Sequence, residues 1–183
     1  RKRVPLLLEA AARLRGRIPG LEIRIVGGGP EQARLRRLWE SLKLQPVVRW
    51  LGSVPQDELA REYSRASLFC LPSVQEGFGI VFLEAMAAGK PVVAARASAV
   101  PEVVPEAGLV APDCAAALAA GIERLYLRPE LRAALSELGR KTVEQYDAPR
   151  VARLFLDQVR AAVQRFPAGM ASPRLIDPPP SLT

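Results

Sequence analysis

The chain contains no histidine, only two cysteines, few aromatics and no long apolar run. Each shortage closes off a class of function. Without an imidazole there is no Ser-His-Asp triad, and Ser73, just before a loop, has no base to activate it. Without histidine or a cysteine cluster there is no basis for a zinc site. Cys70 and Cys114 do not make a disulfide framework. Cys70 lies in an apolar segment and reads as a small core hydrophobe, so the expected compartment is reducing and cytoplasmic. No D-x-D pair occurs to hold a divalent metal against a diphosphate. No stretch approaches the ~18 apolar residues of a membrane span. The opening RKRVPLLLEAAARLRGR carries charge through its apolar part, unlike a secretory signal. Aromatics are 5% of a chain that is 49% hydrophobic, so Leu, Val, Ile and Ala must build the core.

What the chain has in excess is positive charge. Its 26 Lys and Arg against 19 Asp and Glu give a net +7. The simplest account is solvated helix faces, since Arg13, Arg15, Arg17, Arg34, Arg36 and Arg37 all fall in helical segments. A sharper account is attraction to an anionic partner: a phosphorylated ligand, or a membrane surface met peripherally from the cytoplasm. No aromatic-interleaved basic strand or finger motif points to nucleic acid.

The apolar pattern alternates between two periods. Leu6 to Arg17 has helical spacing, Leu21–Val26 alternates like a strand, and Gly27–Pro30 (GGGP) is a loop before a helix over 31–42. Strands at Val47–Gly52, Ser67–Ser73, Pro91–Ala95 and Gly108–Pro112 follow, with helices between them, and Asp113 is placed to cap the next helix. Strands alternating with helices predict a parallel, doubly wound, Rossmann-like α/β sheet with helices on both faces. The last three helices have no strands between them. The expected domain covers residues 1–165, and the tail 166–183, with five prolines and no periodic pattern, is expected to be disordered.

The densest chemical signal is EGFGIVFLE. Glu76 and Glu84 stand eight positions apart at the carboxyl end of a predicted strand, where open α/β sheets bind ligands. Between them, Gly77, Phe78 and Gly79 form a turn whose glycines let backbone approach a ligand. Ile80 opens a helix whose N-terminal N–H groups favour phosphate. A carboxylate can accept hydrogen bonds from vicinal hydroxyls, so two of them suit two sugars flanking a diphosphate. Gly28 and Gly29 serve a structural turn as readily as a ligand, and they lack the G-x-G-x-x-G spacing. Lys2 and Arg3 precede the first helix. With no D-x-D, a diphosphate would rely on Lys or Arg and the helix dipole.

Together, IVGGGPE, VRWLGSVPQDELAREYSRASLFCLPS, EGFGIVFLEAMAAGKPVVA and PEVVPEAGLVAP resemble a known family. Residues 2–160 are similar to the C-terminal, donor-binding domain of two-Rossmann-domain (GT-B) retaining glycosyltransferases, family four, the glycosyl transferases group 1. The resemblance implies metal-independent transfer from a UDP-, GDP- or ADP-sugar, with no cofactor. It places Glu76 on the donor sugar near the reacting carbon and Glu84 on the ribose hydroxyls. Backbone at Gly77, Phe78, Gly79 and Ile80 would approach sugar and phosphate. Lys2 matches the Lys of an R-x4-K pair on the diphosphate. Trp50 and Leu51 would lie near the base, with Gly28 and Gly29 close to the nucleotide.

The Arg of that pair, the first strand and the acceptor-binding N-terminal domain would all precede residue 1. In the order 3-2-1-4-5-6 the first strand is central. The chain is therefore expected to be a truncated, split or partner-completed half, with Leu21–Val26 and Ser67–Leu71 left exposing an edge. The alternative is a nucleotide-binding or protein-interaction module without catalysis.

Overall fold

The computed structural model describes residues 1–111 and 113–165, so the tail expected to be disordered lies outside the described residues. The chain forms two compact units, Arg1–Glu144 and the part from Gln145 onward.

The first unit begins with α1 (Val4–Leu14), β1 (Ile23–Val26), α2 (Gln32–Ser41), β2 (Val48–Gly52), α3 (Gln56–Arg65) and β3 (Phe69–Leu71). It continues with α4 (Ile80–Ala87), β4 (Val92–Ala95), the single turn α5 (Val100–Val103), β5 (Leu109–Val110), α6 (Ala115–Leu127) and α7 (Pro129–Gln145), whose last residue falls in the second unit. All strand pairings are parallel. They form two sheets, β1–β2 and β3–β4–β5. In the doubly wound order these are strands 2 and 3 and strands 4, 5 and 6. Among the described residues no strand fills the position between β1 and β3.

That break shows in the burial. β4, paired on both edges, is buried along its whole length. β1 and β3, each paired on one edge, are only partly covered.

Side-chain alternation then sorts the helices onto two faces. Ile23 and Ile25 turn to one side of β1, where they pack with Val48 on Leu8 and Ala11 of α1 and Leu35 of α2. On the other sheet, Cys70 and Val93 meet Leu7, Ala10 and Leu14 of α1 and Leu118, Ile122 and Leu125 of α6. So α1 straddles the break, with Leu8 and Leu14 fully buried on opposite sides of its apolar stripe. Arg24 points to the opposite face and grips Glu62 of α3 through Nε and Nη2, at 2.5 and 2.8 Å. Its guanidinium holds the Glu62 carboxyl below the usual range. Phe69 of β3 meets Tyr63 of α3 and Phe82 of α4 on that same face. α3 therefore spans the break from the other side.

Close approach completes the packing. A Cβ on Gly121 would come within 2.7 Å of Val110 Cγ1, so only glycine lets α6 lie this near the sheet. Asp113 does not cap α6. It takes a left-handed conformation (φ 57°) and pairs with Arg3 at 2.5 Å, while the Cys114 sulfur accepts the Ala117 N–H at 3.3 Å. The first helix also stops at Leu14, short of the expected Arg17, because Gly16 (φ 92°) turns the chain.

In the second unit, α8 (Ala148–Arg165) exposes Val151, Phe155, Leu156 and Val159 along with Arg150, Arg153 and Arg160. No described helix is long and apolar enough to cross a membrane.

A free edge on each of two apolar strands is a template for further pairing. This 183-residue chain should therefore melt at a low midpoint or self-associate. Sedimentation velocity with a thermal melt checks this, and a cooperative, monomeric melt with a high midpoint would overturn it.

Candidate functional site

The site lies where β3 ends. Parallel strands bring all their carboxyl ends to one edge, and the helices that follow begin there. Arg1 is pinned to this edge: its carbonyl accepts the Val74 N–H at 3.1 Å and lies 3.2 Å from the Ser73 hydroxyl. That places Lys2 across from Glu76, Nζ to Oε1 at 2.6 Å. Lys2 is 53% exposed and Glu76 only 12%. The Ser98 hydroxyl, from the loop after β4, donates to the Glu76 carbonyl at 2.9 Å and fixes the backbone behind it.

Burial pushes the Glu76 carboxyl up. The Lys2 hydrogen bond, the Ser73 hydroxyl and the charges of Lys2 and Arg1 outweigh it, and the group titrates below its ordinary 4.5. The Ser73 hydroxyl has one proton and two acceptors in reach, the Arg1 carbonyl and this carboxylate. Ser73 is fully buried. Lacking a histidine, it has a positioning part to play here rather than a nucleophilic one.

Beyond Glu76 the chain turns through Gly77 and the half-exposed Phe78 to Gly79. Gly79 is the N-cap of α4 in the left-handed region, φ 76° and ψ 44°. A Cβ there would strain the backbone and would also fall 2.7 Å from Cδ2 of Phe82, which is fully buried and cannot yield. Ile80, 61% exposed, opens α4, whose first N–H groups have no partner within the helix. Glu84 stands one turn further in. Its Oε2 accepts the Tyr63 hydroxyl at 2.9 Å.

The expected residues therefore divide. Lys2, Glu76, the turn Gly77–Phe78–Gly79, Ile80 and Glu84 meet at one place. Gly28 and Gly29 stand at the exit of β1, on the same edge but in the other sheet, with open space around Gly29. Gly27, not either of them, takes the positive φ (102°), and its N–H reaches the Gly52 carbonyl at 2.7 Å. Trp50 packs with Val48 and Leu35 on the α2 face, and the Arg36 guanidinium lies 5.8 Å from its ring centroid. Leu51 lies at an irregularity of the β1–β2 pairing, between the pairs Ile25–Trp50 and Val26–Gly52. Tyr63 and Ser98 were not singled out from the sequence. Tyr63 stands four positions after Leu59 on the apolar stripe of an otherwise polar α3, a spacing that reads as core packing and hides the hydroxyl.

The comparisons with known proteins agree with this architecture. The profile of the family "Glycosyl transferases group 1" matches residues 1–142. The chain is 38% identical over 177 residues to the D-inositol 3-phosphate glycosyltransferase of Saccharomonospora viridis, covering 88% of this chain and 40% of that protein. Among solved structures it resembles the sucrose-phosphate synthase of Thermosynechococcus elongatus (TM-score 0.74, 31% identity), covering 90% of this chain and 43% of that one. It also resembles Anabaena HepE, solved in complex with UDP (TM-score 0.78, 25% identity), covering 87% and 45%. The chain belongs to the group 1 glycosyl transferases, enzymes of GT-B fold. It spans about two-fifths of the length of the first of these relatives.

Two predictions follow from the geometry. Lys2→Met removes the strongest lowering influence on Glu76 and leaves the burial, so the Glu76 pKa should rise. A carboxyl depressed in the folded state stabilises above its unfolded pKa and loses that contribution as pH falls through the folded one. In the variant that contribution should be smaller, and its loss should be complete at a higher pH. A carbon-detected NMR titration of Glu76 reads the shift, and an unchanged value would show that the ion pair is not formed. Gly79→Ala should cost about 2 kcal/mol or more, from left-handed strain and the clash with Phe82. Urea unfolding measures this, and a neutral result would place the turn in another conformation.

Proposed function

We propose that this chain binds a nucleoside-diphosphate sugar (UDP-, GDP- or ADP-linked) and is the donor half of a retaining, metal-independent glycosyltransferase. One observation supports it above the others: Lys2 and Glu76 are in contact just before the turn that opens α4, with Glu84 one helical turn inside that helix. Lys2 and the α4 N–H groups suit a diphosphate. Glu84 suits the vicinal hydroxyls of ribose, and Glu76 those of the transferred sugar.

A donor that uses both Lys2 and Glu76 must break their pair. The diphosphate takes the ammonium and the sugar hydroxyls take the carboxylate. In the transfer, the bond between the anomeric carbon and the diphosphate oxygen breaks, and its electron pair leaves on the oxygen. Lys2 and the helix N-terminus stabilise that developing charge. The acceptor hydroxyl oxygen forms the new bond to the anomeric carbon, and its proton passes to the departing diphosphate oxygen. The acceptor's binding groups are assigned to protein outside this chain, an N-terminal Rossmann domain or a partner, so the chain alone should turn over little or nothing. The approach of Gly28, Gly29, Trp50 and Leu51 to the nucleotide belongs to the same reading. It is supported by their place on the carboxyl edge, although the Trp50 ring itself is engaged by α2 and Arg36.

Calorimetry of UDP, GDP, ADP and their sugars tests this. One nucleotide should bind, and Glu84→Ala should weaken it about tenfold or more, the worth of a hydrogen bond to a charged group. Glu76→Gln frees Lys2, so the bare nucleotide should bind at least as well as before while its sugar loses any added affinity. Binding by none of the six ligands would overturn the reading.

A further inference from the structure

We infer that Tyr63 is a positioning residue for nucleotide recognition: it holds the Glu84 carboxylate in the plane and rotamer that accept a vicinal diol. This rests on the ribose reading of Glu84.

The contact joins two helices. Tyr63 comes from α3 and Glu84 from α4, twenty-one positions apart, and the hydroxyl lies 2.9 Å from Oε2. A second acceptor, the Val81 carbonyl, is at 3.5 Å, so the proton belongs to the carboxylate. The ring is held as well. It tilts against Phe69 at 5.7 Å, and Phe69 meets Phe82 edge-on at 6.0 Å. Phe82 is fully buried and packs against Gly79. A continuous row of rings thus ties the carboxylate to the turn at the start of the same helix. Burial of the phenol, reinforced by the Glu84 hydrogen bond and charge, raises the Tyr63 pKa, so the hydroxyl stays protonated and donating at neutral pH.

The stoichiometry of lone pairs leaves room for a ligand. A carboxylate offers about four acceptor sites, two on each oxygen. Tyr63 fills one on Oε2. One remains there and two remain on Oε1, enough for two adjacent hydroxyls, one to each oxygen. Without Tyr63 a glutamate one turn inside a helix samples several rotamers, and ribose would have to order it on binding.

Tyr63→Phe removes the donor and keeps the ring row. It should weaken whichever of UDP, GDP or ADP binds by about fivefold, the size of one hydrogen bond. It should leave the corresponding 2′,3′-dideoxynucleotide diphosphate unaffected, and it should add nothing in a Glu84→Ala background. Calorimetry on the four proteins, with melts to confirm folding, reads all three. Equal loss for the ribo- and dideoxy-ligands would show a general structural effect and overturn the inference. Loss with Glu84→Ala but none with Tyr63→Phe would overturn it while sparing the ribose reading. If Glu84→Ala itself changes nothing, or no nucleotide binds, both fall together. If Tyr63→Phe does not fold, Tyr63→Trp, which keeps an aromatic ring but moves the donor, takes its place with the same expected pattern.

Discussion

The structure depends on how a break in its sheet is bridged. β1 and β3 each keep an unpaired edge, and no backbone ladder joins the two sheets among the described residues. What joins them is two helices on opposite faces. α1 does so with apolar contact: Leu8 and Ala11 reach one sheet's cluster, and Leu7, Ala10 and Leu14 reach the other's. α3 does so with a forked ion pair to β1 and a ring contact to β3. The two bridges differ in kind. Burying α1's leucines is worth roughly 2 kcal/mol or more for each fully buried side chain. The Arg24–Glu62 pair is half sheltered and contributes direction more than energy.

Those same helices hold the chemistry. Lys2 immediately precedes α1, and Tyr63 lies on α3, so the Lys2–Glu76 and Tyr63–Glu84 contacts are made from the helices that span the break or their immediate flank. The loop that holds Glu76 is anchored to Arg1 through Val74 and Ser73, and to the loop after β4 through Ser98.

Which of these features the sequence discloses follows from how far apart the partners lie. Glu76, the Gly-Phe-Gly turn, Ile80 and Glu84 are contiguous, and the local switch from strand to helix period places them correctly. The doubly wound class is legible for the same reason, whereas the expected gap between β1 and β3 comes from the family resemblance and not from any local period. Tyr63–Glu84 and Ser98–Glu76 are contacts between separate elements, and no period encodes them. Asp113 misleads because a cap is a local expectation, while its actual partner, Arg3, lies at the start of another helix. Trp50 shows the same division between local and distant information. Its place on β2 is local and correct, but the direction of its ring is decided by α2.

The net charge of +7 also takes on a different meaning in three dimensions. Along the carboxyl edge three cations are engaged: Lys2 with Glu76, Arg3 with Asp113, and Arg96 in a fork with Glu106. A bare anion arriving there gains Lys2 only by leaving Glu76, a mostly buried carboxylate, without its partner, and that costs free energy. A ligand with a diphosphate and a hydroxyl-bearing group on it gives Lys2 and Glu76 new partners at once. Under the proposed function, the pair makes phosphate recognition and sugar recognition depend on each other, and such coupling would favour the whole donor over its nucleotide fragment, a preference that neither residue would produce alone.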